Sequence, residues 1–170
     1  MTKMTKPELN IFSENIHKGF DVDEKKAIDV ARDVLNVYLD ESEIFDNSCL
    51  VDYDFSCISF DILYCDDVKT HEINKEYREK DYAADIITFA IFADSEDKFV
   101  FDGEINLGEI IIALDKVQAN AKDKNTTFEH ELYFLISHGI MHLLGFDHQT
   151  NEDYNFIVNA QNSALQKVLG

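Results

Sequence analysis

Residues 138–148, His-Gly-Ile-Met-His-Leu-Leu-Gly-Phe-Asp-His, constrain this chain more than any other stretch. Three of its six histidines fall there. His138 and His142 are four apart, so on a helix both rings leave the same face. Gly145 supplies a helix stop, after which the chain can turn back and carry His148 to the same point. A fold that holds this segment must present a helix end and the following turn to one shared space. Three neutral imidazoles converging there make a first-row metal site, with zinc the default. Three protein ligands leave a fourth position open, the pattern of a catalytic zinc rather than a structural one. A helical histidine pair alone is a weak signal; the glycine and the third histidine make it a strong one. Cys49, Cys57 and Cys65 lie far upstream without C-x-x-C spacing and are poor candidates for a fourth ligand.

The segment is not the H-E-x-x-H helix of zinc proteases. Gly139 stands where those enzymes carry the glutamate that acts as general base, which argues against ordinary proteolysis. A glycine inside a helix costs about 1 kcal/mol relative to alanine, so Gly139 is expected to serve packing, letting another element approach the helix closely.

At 170 residues and 45% hydrophobic content the chain reads as one compact domain, residues 1–170. No apolar run approaches the ~20 residues of a membrane span, and the first residues lack a signal peptide's apolar stretch. Three cysteines without framework spacing read as reduced thiols in a cytoplasmic protein. The net charge of −19, from 34 acidic and 15 basic residues, works against nucleic-acid binding by the body as a whole. The acidic residues are spread along the chain rather than gathered in a tail, which reads as solubility or a salty interior.

No repeat, low-complexity run or linker interrupts the sequence. Leu9 to Glu14 alternates weakly and suggests an edge strand. Asp23 is an N-cap candidate for a helix to about Leu39, with Ala27, Val30, Ala31, Val34, Leu35 and Tyr38 at helical spacing. Phe55 to Cys65 reads as a strand, and Asp66 as the cap of a helix to about Lys80 carrying Asn74 and Arg78 on neighbouring turns. Residues 85–92 read as a buried strand, Ala93 to Lys98 as a polar loop, and Phe99 to Phe101 as completing a hairpin. Leu107 to Leu114 is a third strong strand, followed by a helix to about Lys122. A capping box over Thr126–Glu129 starts the metal helix, whose core stripe is Phe128, Leu132, Leu135, Ile136 and Leu143. Thr150 or Asn151 caps a last helix to Val168. Helices interspersed with three or four strands indicate an α+β or α/β domain.

The run His138-Gly139-x-x-His142-Leu143-Leu144-Gly145-x-Asp147-His148 resembles the signature of the YbeY family, bacterial metal-dependent endoribonucleases of ribosomal RNA maturation. Asn74, Tyr77, Arg78 and Asp81 fit that family's Asn-x-x-Tyr-Arg-x-x-Asp segment. Asp85 to Phe89 and Leu107 to Ile110 fit two of its strands, and Glu131 falls where the family often has glutamate. Ala84, Ala90 and Ile157 depart from the pattern, at none of the ligand positions.

The resemblance implies an α+β fold, a mixed sheet of about four strands with surrounding helices and a zincin-like metal helix. It implies a zinc-dependent endoribonuclease in which water held on the metal attacks a phosphodiester. Ribosomal RNA would be the substrate, with a ribosomal subunit or ribosomal proteins as partners and no membrane. His138, His142 and His148 would hold the Zn2+, and Arg78 would stabilise phosphoryl charge. Without the resemblance, Arg78 reads as a surface ion pair with Glu79 or Asp81. Asp147 reads equally as a residue orienting a ligand ring and as a turn residue bonding its own backbone. Glu109 and Glu131 are weaker site candidates, and His130, His17 and His71 are read as lying outside the site. The arginine, Lys75 and Lys80 are expected at the mouth of the metal cleft. Two alternatives stand beside this reading: a non-catalytic ribosome-assembly factor with a structural metal, and a metal-dependent hydrolase of another substrate.

Overall fold

The computed structural model describes residues 6–170. The start of the chain, residues 1–5, read above for a signal peptide, lies outside the described residues. Four strands, β1 (Glu8–Asn15), β2 (Cys57–Cys65), β3 (Ile86–Phe89) and β4 (Glu104–Ala113), form a sheet in the order β1-β2-β4-β3. β1 and β4 each run parallel to β2, and β3 runs antiparallel to β4. Among the described residues seven helices surround the sheet: α1 (Glu24–Asp40), α2 (Ser42–Phe45), α3 (Asp67–Tyr77), α4 (Ile91–Asp94), α5 (Leu114–Asp123), α6 (Phe128–Leu143) and α7 (Asn151–Leu169). The fold is α+β with a mixed sheet, as the resemblance implies.

Capping explains most helix starts. The side chains of Asp23, Asp66, Thr127 and Thr150 accept from the backbone N–H of Lys26, Lys69, His130 and Asp153 respectively. Each satisfies an N–H that the helix itself cannot. Along α1 the six positions at helical spacing are the six buried ones. They close on α6, whose Ile136, Ile140 and Leu143 are fully buried in the same core as Phe60 and Ile62 of β2. Each such side chain contributes about 1.5–3 kcal/mol relative to an exposed one. Tyr38 of α1 reaches across this layer and donates to the carbonyl of Ser137, 3.0 Å away, fixing the backbone next to His138. On the other sheet face a smaller cluster, Cys65, Ile73, Ile87 and Ile111, seats α3.

Four expectations need correction. The strand expected over 85–92 stops at Phe89, and α4 begins at Ile91. Pairing ends where Phe89 faces Glu109, because next to that residue the β4 backbone departs from strand geometry at Gly108. The expected hairpin at Phe99–Phe101 reduces to one isolated bridge, Phe101 to Glu104. The helix expected to about Lys80 ends at Tyr77, and Glu79 takes φ +55°. Finally, the cap of α6 is Thr127, not Thr126. Three residues on stands His130, so no glutamate closes a capping box.

Candidate metal centre

The three histidines meet. His138 and His142 leave one face of α6, and the helix then ends in a Schellman turn. Gly145, at φ +101°, donates to the carbonyl of His142 at 3.0 Å, and Phe146 N–H donates to that of Met141 at 3.1 Å. The turn carries His148 back. The Nε2 atoms form a triangle with sides of 2.9 Å (His142–His138), 2.9 Å (His142–His148) and 3.0 Å (His148–His138). Among the described residues this is the cluster of His, Cys, Asp and Glu side chains able to hold a metal ion.

The donor chemistry fits a cation. The turn places the Phe146 carbonyl 2.8 Å from His142 Nδ1. A carbonyl only accepts, so Nδ1 carries the proton, and Nε2 presents a lone pair to the other two rings. Hydrogen bonds cannot satisfy all three mutually close nitrogens of neutral rings, whereas one electrophile between them can. Protonation is disfavoured: burial, then the neighbouring His138 and His148, push His142 down to about 4. Burial also lowers His138, opposed by its contact with Gln161. Neutral imidazole is the form that binds metal.

The histidines line a cleft of about 380 Å³ that also takes in Arg78, Thr88, Asp94 and Asp147. Arg78 is delivered by the turn after α3 rather than by the helix itself. Asn74, fully buried, holds that turn: its carbonyl accepts from Arg78 N–H and Lys80 N–H, both at 3.0 Å, and its Nδ2 donates to the Tyr82 carbonyl at 2.9 Å. Among the described residues Arg78 makes no ion pair. Asp81, its expected surface partner, is taken by His71 at 2.7 Å, a contact that holds the Asp81 carboxyl below its ordinary range. Lys75 and Lys80 are not part of the cleft wall, so Arg78 is its one cationic side chain among the lining residues.

The other sequence candidates separate. Asp147 accepts from His148 N–H at 2.7 Å and from Gln149 Nε2 at 3.1 Å. It shapes the turn, and those two contacts lower its carboxyl. Glu131 is buried in a 3.0 Å ion pair with Lys124, and Glu109, raised by burial and by Asp61 across the strands, lies outside the cleft wall. His130 is exposed, and His17 is paired with Asp115. Sequence reasoning missed Gln161, whose Oε1 lies 2.9 Å from His138 Nδ1. Its one signal is a polar residue inside the apolar stripe of α7, between Ile157 and Leu165.

Gly139 performs the packing expected of it. A Cβ there would meet Ile110 Cδ1 at 2.9 Å and Ile86 Cδ1 at 3.1 Å, so the missing side chain lets α6 rest on β3 and β4. Overpacking costs about 1–3 kcal/mol, against about 1 kcal/mol of helix propensity gained. Gly139→Ala is therefore expected to lower stability by about 1 kcal/mol, read as a lower urea midpoint at unchanged slope.

A profile described as Endoribonuclease YbeY matches residues 12–169. A Spiroplasma citri protein, Endoribonuclease YbeY, is 42% identical over 95 residues, 55% of this chain and 60% of that protein. Its Fusobacterium nucleatum namesake is 38% identical over 104 residues, 61% of this chain and 63% of that protein. The Bacillus subtilis protein of the same name is 40% identical over 111 residues, covering 64% and 69%. The chain thus spans about 60–70% of the length of these curated relatives. The solution structure of a Thermotoga maritima protein shares the fold, with TM-score 0.53 at 21% identity over 94% of this chain and 90% of that one.

Proposed function

This chain belongs to the YbeY endoribonuclease family, and from that premise we propose that it is a metal-dependent endoribonuclease acting on ribosomal RNA, with Zn2+ held by His138, His142 and His148. Residues 1–170 work as one domain in this reading. The observation that carries it is the triangle of Nε2 atoms, 2.9–3.0 Å on a side, opening into the cleft that Arg78 shares. Bound zinc supplies Lewis acidity toward a phosphoryl oxygen. The chain supplies the rest. Arg78, free of carboxylate partners, offers a guanidinium fork to the charge that builds up on the phosphoryl oxygens. The Asn74-held turn sets the Arg78 backbone at the wall of the cleft. Asp94 and Asp147 make the cleft a poor general anion site, so recognition falls on the reacting phosphate rather than on the RNA backbone at large. For a chain at −19, affinity for free RNA is weak, and a ribosomal subunit or ribosomal protein supplies the remainder by tethering, which raises effective concentration without new contacts at the site.

Arg78→Ala tests the catalytic part. By analogy with loss of one oxyanion donor, RNA cleavage should slow on the order of 10²-fold while zinc stoichiometry stays unchanged. An unchanged rate would return Arg78 to the surface.

A further inference from the structure

We propose that Gln161 is a positioning residue for the metal centre, one that sets the orientation and tautomer of His138; the inference rests on the three-histidine metal reading. Gln161 is completely buried on α7, in the stripe where Ile157, Ala164 and Leu165 pack against the core. An apolar side chain would sit there without the cost of burying an amide, about 1–3 kcal/mol if left unpaired. The amide is instead used at both ends, and both ends reach α6. Gln161 Nε2 donates to the Phe134 carbonyl at 3.2 Å, and Oε1 faces His138 Nδ1 at 2.9 Å. Phe134 O also accepts from Ser137 Oγ at 2.8 Å. A carbonyl cannot donate, so only one amide orientation is satisfied: NH2 toward Phe134, oxygen toward His138. That oxygen requires a proton on His138 Nδ1, which leaves the Nε2 lone pair directed at His142 and His148. His142 receives the same service from the Phe146 carbonyl of its own turn. Gln161 does for the first ligand, from another helix, what the backbone does for the second.

The test compares wild type, Gln161→Leu and Gln161→Glu. Zinc affinity is measured by competition with a chromophoric chelator, folding by circular dichroism and thermal unfolding, and the His138 tautomer by long-range 1H–15N NMR on metal-free wild type. Removing an outer partner of a ligating histidine weakens metal binding about 10–100-fold. Gln161→Leu should show that loss while remaining folded. Gln161→Glu, which keeps an acceptor for Nδ1, should recover most of it, and wild type should carry its proton on His138 Nδ1. Zinc binding by Gln161→Leu equal to wild type overturns the inference. So does an equal loss in both variants, which a merely structural anchor would give, and so does a proton on Nε2 in metal-free wild type, a readout that survives if either variant fails to fold. If wild type binds no zinc, the metal reading itself falls and this inference with it.

Discussion

Replacing His142 with alanine is expected to weaken zinc binding by about 10²–10³-fold. Apparent affinities of structural zinc sites amount to roughly 10–16 kcal/mol spread over four ligands, about 2.5–4 kcal/mol each. His142 is held at both ring nitrogens, its Nδ1 2.8 Å from Phe146 O and its Nε2 2.9 Å from both neighbouring histidines. The substitution also leaves a half-buried space on α6 where the ring stood, so a modest stability loss accompanies it. Isothermal titration with zinc, set beside thermal unfolding of the metal-free proteins, separates the two effects. Wild type should bind one equivalent, with His142→Ala weakened by the stated factor. A variant that binds zinc as tightly as wild type would mean that the triangle is not the site.

The second large effect falls on stability. Gly108→Ala should destabilise the chain by about 3–5 kcal/mol. At Gly108 β4 takes φ +132°, and the register against β2 slips between Ser59 and Phe60. A Cβ on that residue would stand 1.9 Å from the carbonyl oxygen of Phe89 and 2.9 Å from the backbone nitrogen of Ile91. Both obstacles are backbone, and they belong to the joint where β3 hands over to α4. The chain can admit the methyl only by opening that joint, which also carries Thr88 and Ala90 of the cleft wall. Chemical denaturation should show the loss as a lower midpoint. A midpoint within experimental error of wild type would contradict this account of the joint.

Much of this architecture was legible in the residues. The α1 stripe, its Asp23 cap and the Thr150 start of α7 follow from local periodicity and capping chemistry, which need no tertiary information. The convergence of the three histidines was legible for the same reason: two histidines one helical turn apart, a glycine in left-handed conformation, and a third histidine within three residues of it. What escaped depends on contacts distant in sequence. The break after Phe89 is set by Gly108, nineteen residues on, and nothing between 85 and 92 signals it. Arg78 was placed on a helix because α3 has no glycine or proline to end it; the end comes from Asn74, whose side chain and carbonyl organise the following turn. Gln161 escaped because its partner His138 lies on another helix, 23 residues away. Lys75 and Lys80 were expected at the mouth of the cleft from proximity in sequence to Arg78; of the three, Arg78 alone lines the cleft wall.

The shortage of cations explains why binding of RNA and cleavage of RNA need to be separated. Counterion release scales with the phosphates a protein neutralises, and a cleft with Arg78 facing Asp94 and Asp147 neutralises few. Titration of labelled RNA at physiological salt should therefore give weak binding by the isolated chain. The central claim is chemical rather than one of affinity, and one measurement addresses it directly: single-turnover cleavage of a labelled ribosomal RNA fragment by protein stripped with chelator, then restored with one equivalent of zinc. Cleavage that disappears on stripping, returns with zinc in wild type and fails to return in His142→Ala is the predicted result. Cleavage indifferent to the chelator, or none from a wild-type chain carrying its full equivalent of zinc, would contradict the account.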